Sequence, residues 1–221
     1  MSHDTWIHRL VEYGVEPLVR TLVRPNHLTM ARLTTGIAAA ILFAWGTRDA
    51  QFWACGLYIL SFLLDRADGI LARRQGTITD SGHVFDLVAD ATSTTLVLIG
   101  IGIGLRFSFL GAWASLLGLV AGLAALATFW LIGRADRRTG TYPLASFAGM
   151  DADDAMIVIP VAILFNYSIE LIAIAAVAMP LFLLSFVIVK RKALWGPLPK
   201  QRATPVQQSL RGRSRHRVPP R

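Results

Sequence analysis

Four aspartates lie inside otherwise apolar stretches that are long enough to cross a membrane. Asp65 and Asp68 are three residues apart, and Asp86 and Asp90 are four apart, so on helices the members of each pair share one face. One aspartate at the centre of a membrane helix costs about 2.5 to 3.5 kcal/mol, and four would therefore cost roughly 10 kcal/mol. A bound divalent cation is the best candidate to offset that cost.

The composition also predicts membrane helices. Hydrophobic residues make up 54% of the 221 residues and charged residues only 16%, and the mean hydropathy is +0.51. These values indicate one domain of packed transmembrane helices rather than a soluble domain. The single cysteine, Cys55, lies in an apolar run, which excludes a disulfide framework and a cysteine-based metal site.

The order of polar and apolar segments predicts an all-α polytopic membrane protein. Residues 1–24 are predicted to form an interfacial amphipathic helix, or alternatively a helix packed on the cytosolic end of the bundle. Six transmembrane helices are predicted within residues 25–192. The first four cover about 30–46, 52–72, 83–105 and 110–132. The last apolar run, Met156 to Val189, is too long for one span and is split at Asn166-Tyr167-Ser168.

Basic residues predict the orientation in the membrane. Six spans place both termini on one side, and of the 22 Lys and Arg residues only Arg48 and Arg106 fall in the opposite loops. The positive-inside rule assigns the side rich in Lys and Arg to the cytoplasm. Both termini and the aspartate segment are therefore expected to face the cytosol, in a multi-pass protein of the inner (cytoplasmic) membrane. Residues 193–221 are predicted to form a basic, disordered cytosolic tail.

A small-residue motif in the fourth span predicts close helix packing. Gly118 and Gly122 form a G-x-x-x-G pattern, which lets two helix backbones approach each other. The partner helix could belong to the same chain or to a second copy at a homodimer seam.

The aspartates offer oxygen ligands only, which suits Mg²⁺ or Mn²⁺. Two carboxylates from each helix could hold one or two ions and leave positions open for phosphate oxygens. One alternative is that the aspartates are paired with Arg66, Arg73 and Arg74. Another is an ion or proton pathway, because carboxylates inside the membrane also serve transporters.

Residues beside the aspartates favour a bulky ligand over a bare ion. Gly69 and Ala72 leave space next to the carboxylates, and Arg73 could clamp a diphosphate. Asn26 and Thr29 add hydrogen-bonding groups where the first span meets the same region, although helix capping would also explain them. Together these residues favour a nucleotide-diphosphate site that opens to the cytosol.

The spacing of these residues resembles the signature of a known family. Asp65-x2-Asp68-Gly69-x2-Ala72-Arg73-x8-Gly82-x3-Asp86-x3-Asp90 is similar at every defined position to the motif of the CDP-alcohol phosphotransferases, also called CDP-alcohol phosphatidyltransferases. The Pro25-Asn26-x-x-Thr29 run resembles the N-terminal element of that family. The resemblance implies a six-helix bundle, usually a homodimer, that displaces CMP from a CDP-linked donor with an alcohol.

The resemblance also implies roles for individual residues. Asp65, Asp68 and Asp86 would be metal ligands, and Asp90 would be the base for the acceptor hydroxyl and a ligand of a second metal. Gly82 would let the second and third spans approach closely. The CDP pocket would be lined by Asn26, Thr29, Asp68, Gly69, Ala72 and Arg73.

The acceptor is the least constrained part of the prediction. Basic residues after the fourth and sixth spans could bind a phosphorylated acceptor, or could be positive-inside flanking residues: Arg134, Arg137, Lys190 and Arg191. Asp151, Asp153 and Asp154 could instead hold a hydroxyl-rich or amine-bearing acceptor, or favour a helix N-terminus. We predict transfer from CDP-diacylglycerol, with a polyol phosphate slightly ahead of a free alcohol as acceptor. The alternative enzyme moves a phospho-aminoalcohol from a soluble CDP-alcohol to a lipid alcohol. Membrane lipids are expected partners, and nucleic acid is not.

Overall fold

The computed structural model describes residue 13 and residues 15–21, 23–77, 79–139 and 152–196. All regular structure within these residues is helical, as predicted. The α-helices are α1 (Pro25–Trp45), α2 (Arg48–Gln75), α3 (Asp80–Gly104), α4 (Ala112–Thr139), α5 (Ala152–Leu164) and α6 (Ser168–Trp195). Short 3₁₀ helices lie at Glu16–Arg20 and Leu105–Phe107.

Four of the helices are long and apolar enough to cross a membrane. These are α1, α3 with the 3₁₀ turn that follows it, α4 and α6. The chain is therefore a multi-pass integral membrane protein. α2 is long enough but carries charged residues toward both ends, and α5 has only 13 residues, so neither qualifies by length and composition alone.

Local backbone chemistry explains where the helices begin and end. Pro25 occupies the first position of α1, where its missing N–H costs no hydrogen bond. Gly46 and Gly76, with φ of 84° and 63°, end α1 and α2 in the left-handed conformation. Asn166 has φ of 66° between α5 and α6. The predicted split of the last apolar run at Asn166–Ser168 is confirmed.

α1 is the central helix of the half of the bundle that carries the aspartates. It packs along both α2 and α3, whereas α2 and α3 have at most marginal direct contact with each other. A Cβ at Gly100 or Gly104 of α3 would collide with the backbone carbonyl of Ala40 or Phe43, so α1 and α3 touch through their backbones. α4 packs on α3, α6 on α4, and α5 on α2.

The G-x-x-x-G motif of α4 packs within the chain. A Cβ at Gly118 would lie 2.8 Å from the Cα of Gly102 on α3, and one at Gly122 would lie 2.9 Å from the carbonyl oxygen of Thr95. The motif therefore serves the contact between α3 and α4, and the alternative of a homodimer seam at these glycines is wrong.

Gly82 does not join the second and third spans, so the role predicted for it is corrected. Among the described residues, a Cβ at Gly82 would meet only Thr79 Oγ1 at 3.0 Å and Asn26 Oδ1 at 3.6 Å within 4 Å. Thr79 precedes the same helix and Asn26 belongs to α1. The reason is that α1 packs on both α2 and α3, whereas the described residues of α2 and α3 have at most marginal direct contact with each other.

Two arginines at the end of the bundle opposite the aspartates cap helices. Arg48 donates hydrogen bonds of 2.9 Å and 2.6 Å to the carbonyls of Ile163 and Leu164, which end α5. Arg106 donates a 2.8 Å bond to the carbonyl of Ala44 near the end of α1. Helix C-termini leave such carbonyls without partners, and these contacts explain the only two basic residues in the loops predicted to lie outside.

Several predicted segments lie partly or wholly outside the described residues. Within 1–24, the described part includes Val15, which is buried against Ile70 and Leu71 of α2. This contact favours the alternative of a segment packed on the bundle. Residues 197–221, Asp151 and the side chains of Asp153 and Asp154 lie outside the described part of the chain.

Candidate active site

A cavity of about 650 Å³ opens where the start of α1, the end of α2 and the start of α3 meet. This volume is in the range that holds nucleotide-sized ligands. All six residues predicted to bind CDP line the cavity: Asn26, Thr29, Asp68, Gly69, Ala72 and Arg73. Gly82 and Asp86 also contribute to its wall. The structure therefore brings the predicted pocket residues to one place.

Three of the four aspartates form a close group. Asp65, Asp68 and Asp86 each place one carboxylate oxygen within 4.8 Å of the other two. α2 supplies two of them because residues three apart share a helix face, and α3 supplies the third. Asp68 is buried and the other two are partly exposed. Oxygen ligands at this separation fit a hard divalent cation such as Mg²⁺ or Mn²⁺.

Asp90 stands apart from this group. Its carboxylate is paired with the guanidinium of Arg32, and it lines a second cavity of about 20 Å³ together with Tyr58 and Ser93. Its side chain is 22% exposed, so it is not sealed inside the bundle. The predicted quartet is thus arranged as a close group of three carboxylates and a fourth, Asp90, which is linked to Asp65 and Asp86 through Arg32.

Arg32 is the residue of the site that sequence analysis missed. Its side chain is only 3% exposed, and its Nη1 lies 2.5 Å from a carboxylate oxygen of Asp65 and 2.5 Å from one of Asp86. Nη2 contacts Asp90. These contacts to three aspartates come from α1, whereas the alternative considered from the sequence named arginines of α2. A signal was present, since Arg32 follows Thr29 by three residues and so shares its face.

Thr29 belongs to the site rather than to the helix cap. It is 4% exposed, and its hydroxyl donates a 2.7 Å hydrogen bond to Asp68 while lying 3.2 Å from the carbonyl of Pro25. The capping contact of α1 is made by His27, whose Nδ1 accepts a 3.3 Å bond from the backbone N–H of Arg24. The alternative of a capping role for Thr29 is therefore wrong.

The remaining wall of the cavity is open on one side and braced on the other. Apart from neighbouring residues and backbone of its own helix, no atom of the described residues lies within 4 Å of a Cβ built at Gly69, so this face of α2 borders free space. Arg73, one turn further, is exposed at the rim. On α3, His83 lines the cavity and its Nε2 lies 3.1 Å from a carboxylate oxygen of Asp136 on α4. Sequence analysis did not predict this brace.

The four basic residues predicted to bind the acceptor are not among the described residues that line the cavity. The guanidinium of Arg134 lies 5.9 Å from the ring centroid of Trp130 on the same helix. Arg137 and Arg191 are exposed, and Lys190 is partly buried. Their role in acceptor binding stays a prediction.

Fold and site together define a helical, polytopic membrane protein with a nucleotide-sized cavity and a group of carboxylates at its wall. The model of the CDP-alcohol phosphatidyltransferase family matches residues 22–186. The chain belongs to this family, and the resemblance carried by the aspartate spacing is confirmed.

Two relatives are similar over a shorter region. The CDP-diacylglycerol–glycerol-3-phosphate 3-phosphatidyltransferase of Rickettsia typhi is 33% identical over 66 residues, which is 30% of this chain and 37% of the relative. The protein of the same name from Rickettsia prowazekii is also 33% identical over 66 residues, 30% of this chain and 36% of the relative. The match thus spans little more than a third of each of these curated relatives.

Proposed function

We propose that this protein is a divalent-metal-dependent phosphatidyltransferase. It transfers the phosphatidyl group of CDP-diacylglycerol to a polyol phosphate, with glycerol 3-phosphate as the first candidate, and releases CMP. The observation that carries the proposal is the group of Asp65, Asp68 and Asp86, whose oxygens lie within 4.8 Å of one another beside a cavity of about 650 Å³. The two Rickettsia relatives are named for this donor and this acceptor.

The three grouped aspartates would hold the metal, Mg²⁺ or Mn²⁺. Their carboxylates come from two helices and are close enough to share one cation. Thr29 keeps the carboxylate of Asp68 in place through its 2.7 Å hydrogen bond. When bound, the ion neutralises charge on the donor diphosphate and polarises the phosphoryl group.

The cavity residues would bind and orient the CDP part of the donor. Arg73 at the rim offers a planar set of N–H groups that suits diphosphate oxygens. Asn26 of α1 adds a polar side chain to the wall of the cavity, and Gly69 leaves space that a larger residue would fill. The acyl chains of the donor would remain in the bilayer beside the apolar helices.

Asp90 would take the proton of the acceptor hydroxyl. As that oxygen forms its bond to the phosphorus that bears diacylglycerol, the bond to the leaving oxygen of CMP breaks, and CMP departs with the electron pair. The carboxylate of Asp90 is held by Arg32 and is 22% exposed, which suits a group that must meet an incoming hydroxyl. Holding donor and acceptor in line would supply much of the rate. Arg134, Arg137, Lys190 and Arg191 remain weaker candidates for contacts to an acceptor phosphate.

We also propose six membrane crossings, a cytosolic active site and a homodimer. The 28 residues of α2 span about 42 Å at about 1.5 Å per residue, which exceeds the roughly 30 Å hydrocarbon core. α5 would be the shortest crossing, and Arg48 holds its C-terminal end level with the start of α2. The excess of Lys and Arg on one side supports cytosolic termini and insertion in the inner (cytoplasmic) membrane. The homodimer follows from the family resemblance.

The test is a transfer assay with purified protein in liposomes that contain CDP-diacylglycerol. With Mn²⁺ and glycerol 3-phosphate we expect CMP release and phosphatidylglycerol phosphate, detected by mass spectrometry, and neither in EDTA. Asp68→Asn should abolish both products. Asp80→Asn is the matched control, because Asp80 is exposed and is not among the described residues that line the cavity.

The same assay separates the alternatives. CMP release by EDTA-treated protein would contradict the metal requirement. Product formed only from a soluble CDP-aminoalcohol and diacylglycerol would favour the other transferase. Ion movement across liposomes that lack any CDP-lipid, without CMP release in the full assay, would favour a transporter.

A further inference from the structure

The permanent positive charge of Arg32 lies among the carboxylates of the aspartates. Arg32 is 3% exposed, and its guanidinium contacts the carboxylates of Asp65, Asp86 and Asp90. An arginine side chain does not lose its proton in proteins. The three contacts link Asp65 of α2 to Asp86 and Asp90 of α3. These two helices have at most marginal direct contact with each other.

Contacts on both sides fix the position of Arg32. The hydroxyl of Ser61 on α2 donates a 3.0 Å hydrogen bond to the backbone carbonyl of Arg32, and Thr35 donates a 2.9 Å bond to the same oxygen. One turn further, a Cβ at Gly36 would lie 2.6 Å from Ser93 Oγ, so α3 approaches α1 closely there. The backbone of Arg32 is therefore held between α2 and α3, which places its guanidinium beside the carboxylates of both helices.

The four carboxylates are divided around this guanidinium. Asp68 lines the larger cavity and Asp90 lines the smaller one. Asp65 and Asp86 are shared between the close group of three and Arg32, because each belongs to that group and each has an oxygen 2.5 Å from Nη1 of Arg32. A second metal ion that bridged Asp90 to Asp65 and Asp86 would compete with Arg32 for the same three carboxylates, and the guanidinium would repel it.

We propose that Arg32 takes the place of a second metal ion. The protein then binds one divalent cation, at Asp65, Asp68 and Asp86, while Arg32 supplies the second positive charge and positions Asp90. The inference rests on the proposed function, because it requires that the three grouped aspartates hold a metal. In this arrangement Arg32 is a positioning residue, which acts on the chemistry through Asp90.

The test counts bound Mn²⁺ in purified protein without donor or acceptor. Isothermal titration and electron paramagnetic resonance of free Mn²⁺ should give one ion per wild-type chain. Arg32→Gln removes the charge and frees three carboxylates, so the count should rise to two. Arg32→Lys keeps the charge and should stay at one. Arg106→Gln, at the opposite end of the bundle, is the control for the loss of an arginine and should also bind one.

A second variant covers the case in which Arg32→Gln does not fold, which size-exclusion chromatography in detergent will show. Asp90→Asn removes an acid that Arg32 holds, so it should leave the count and affinity of the single ion unchanged. Two ions per wild-type chain, one ion in folded Arg32→Gln, or weaker binding in Asp90→Asn would each overturn the proposal.

The experiment also separates this proposal from the proposed function. A wild-type protein that binds no Mn²⁺ would overturn both the inference and the metal dependence. A wild-type protein that binds one ion, and two after Arg32→Gln, but does not transfer a phosphatidyl group would support the role of Arg32 and contradict the proposed reaction.

Discussion

Thr29 donates a 2.7 Å hydrogen bond to Asp68, so a hydroxyl on α1 holds a carboxylate on α2. Both side chains are buried. Three residues further along the same face, Arg32 contacts the other three aspartates. α1 contains no acidic residue of its own, yet it supplies the partners that orient all four carboxylates.

Replacing Thr29 by valine keeps the shape of the side chain and removes the donor. The buried carboxylate of Asp68 then loses a hydrogen bond, a change that costs about 1 to 3 kcal/mol. Because the carboxylate of Asp68, a proposed metal ligand, is then no longer held in place, we expect Mn²⁺ affinity to fall about tenfold. This corresponds to about 1.4 kcal/mol. Titration of Mn²⁺ into purified protein measures this, and Thr29→Ser should retain wild-type affinity. Equal affinities for the valine and serine variants would show that other contacts orient Asp68.

Asp90→Asn should abolish transfer while donor binding persists. A carboxylate that acts as general base contributes roughly 100- to 10,000-fold to the rate, so turnover should fall by about that factor. Binding of CDP-diacylglycerol should stay close to that of wild type, because Asp90 is separate from the close group of three. Asp86→Asn should lose turnover and weaken Mn²⁺ binding as well. Normal CMP release by Asp90→Asn would remove this residue from the chemistry.

Gly69→Leu should block the donor without unfolding the protein. A side chain at position 69 meets no described atom within 4 Å at its Cβ, so it extends into the cavity where CDP would bind. Gly56 of the same helix also has free space around a Cβ but is not among the described residues that line the cavity. Gly56→Leu is therefore the matched control. Donor binding should be lost in the first variant and kept in the second, with similar melting temperatures. Normal donor affinity in Gly69→Leu would favour the transport alternative.

Arg48→Gln should lower stability and leave the chemistry intact. The change removes hydrogen bonds of 2.9 Å and 2.6 Å to the last carbonyls of α5. We expect a loss of about 1 to 3 kcal/mol in the free energy of unfolding, seen as a lower melting temperature in detergent, with unchanged turnover per folded molecule. Lys192→Gln is the control, because this basic position on α6 is exposed and is not among the predicted acceptor-binding residues. A melting temperature equal to that of wild type would show that other groups satisfy these carbonyls.

The pocket could be predicted from the sequence because spacing on a helix determines which side chains share a face. Asp65 and Asp68 come to one face of α2, and Gly69 leaves open space, as their positions indicate. The break at Asn166 could likewise be predicted from three polar residues in an apolar run. Such features depend on a single helix and need no knowledge of its neighbours.

The order of helices in the bundle could not be predicted in this way. Membrane helices are apolar on most of their surface, so their pattern does not reveal which face meets which neighbour. Gly82 therefore suggested contact between α2 and α3, although α1 lies between them. Gly118 and Gly122 were open to either an internal or a dimer contact for the same reason.

The sequence also contained an indication that Arg32 belongs to the site. A charged residue inside an apolar span needs a partner, and this holds for Arg32 as it does for the aspartates. Arg32 lies near the start of the first predicted span, about 30–46, where a basic residue is compatible with the positive-inside rule. Its depth became clear only from the placement of α1 between two acid-bearing helices.

The pairing of Arg32 also bears on how the chain enters the membrane. Two of its partners, Asp86 and Asp90, follow it by 54 and 58 residues, so α1 leaves the ribosome before either has been made. Until then only Asp65 of α2 can pair with its guanidinium, and we expect Arg32 to stay near the lipid headgroups. α1 would therefore reach its final depth only after α3 has arrived, and the translocon would release the first three helices into lipid as one cooperative unit.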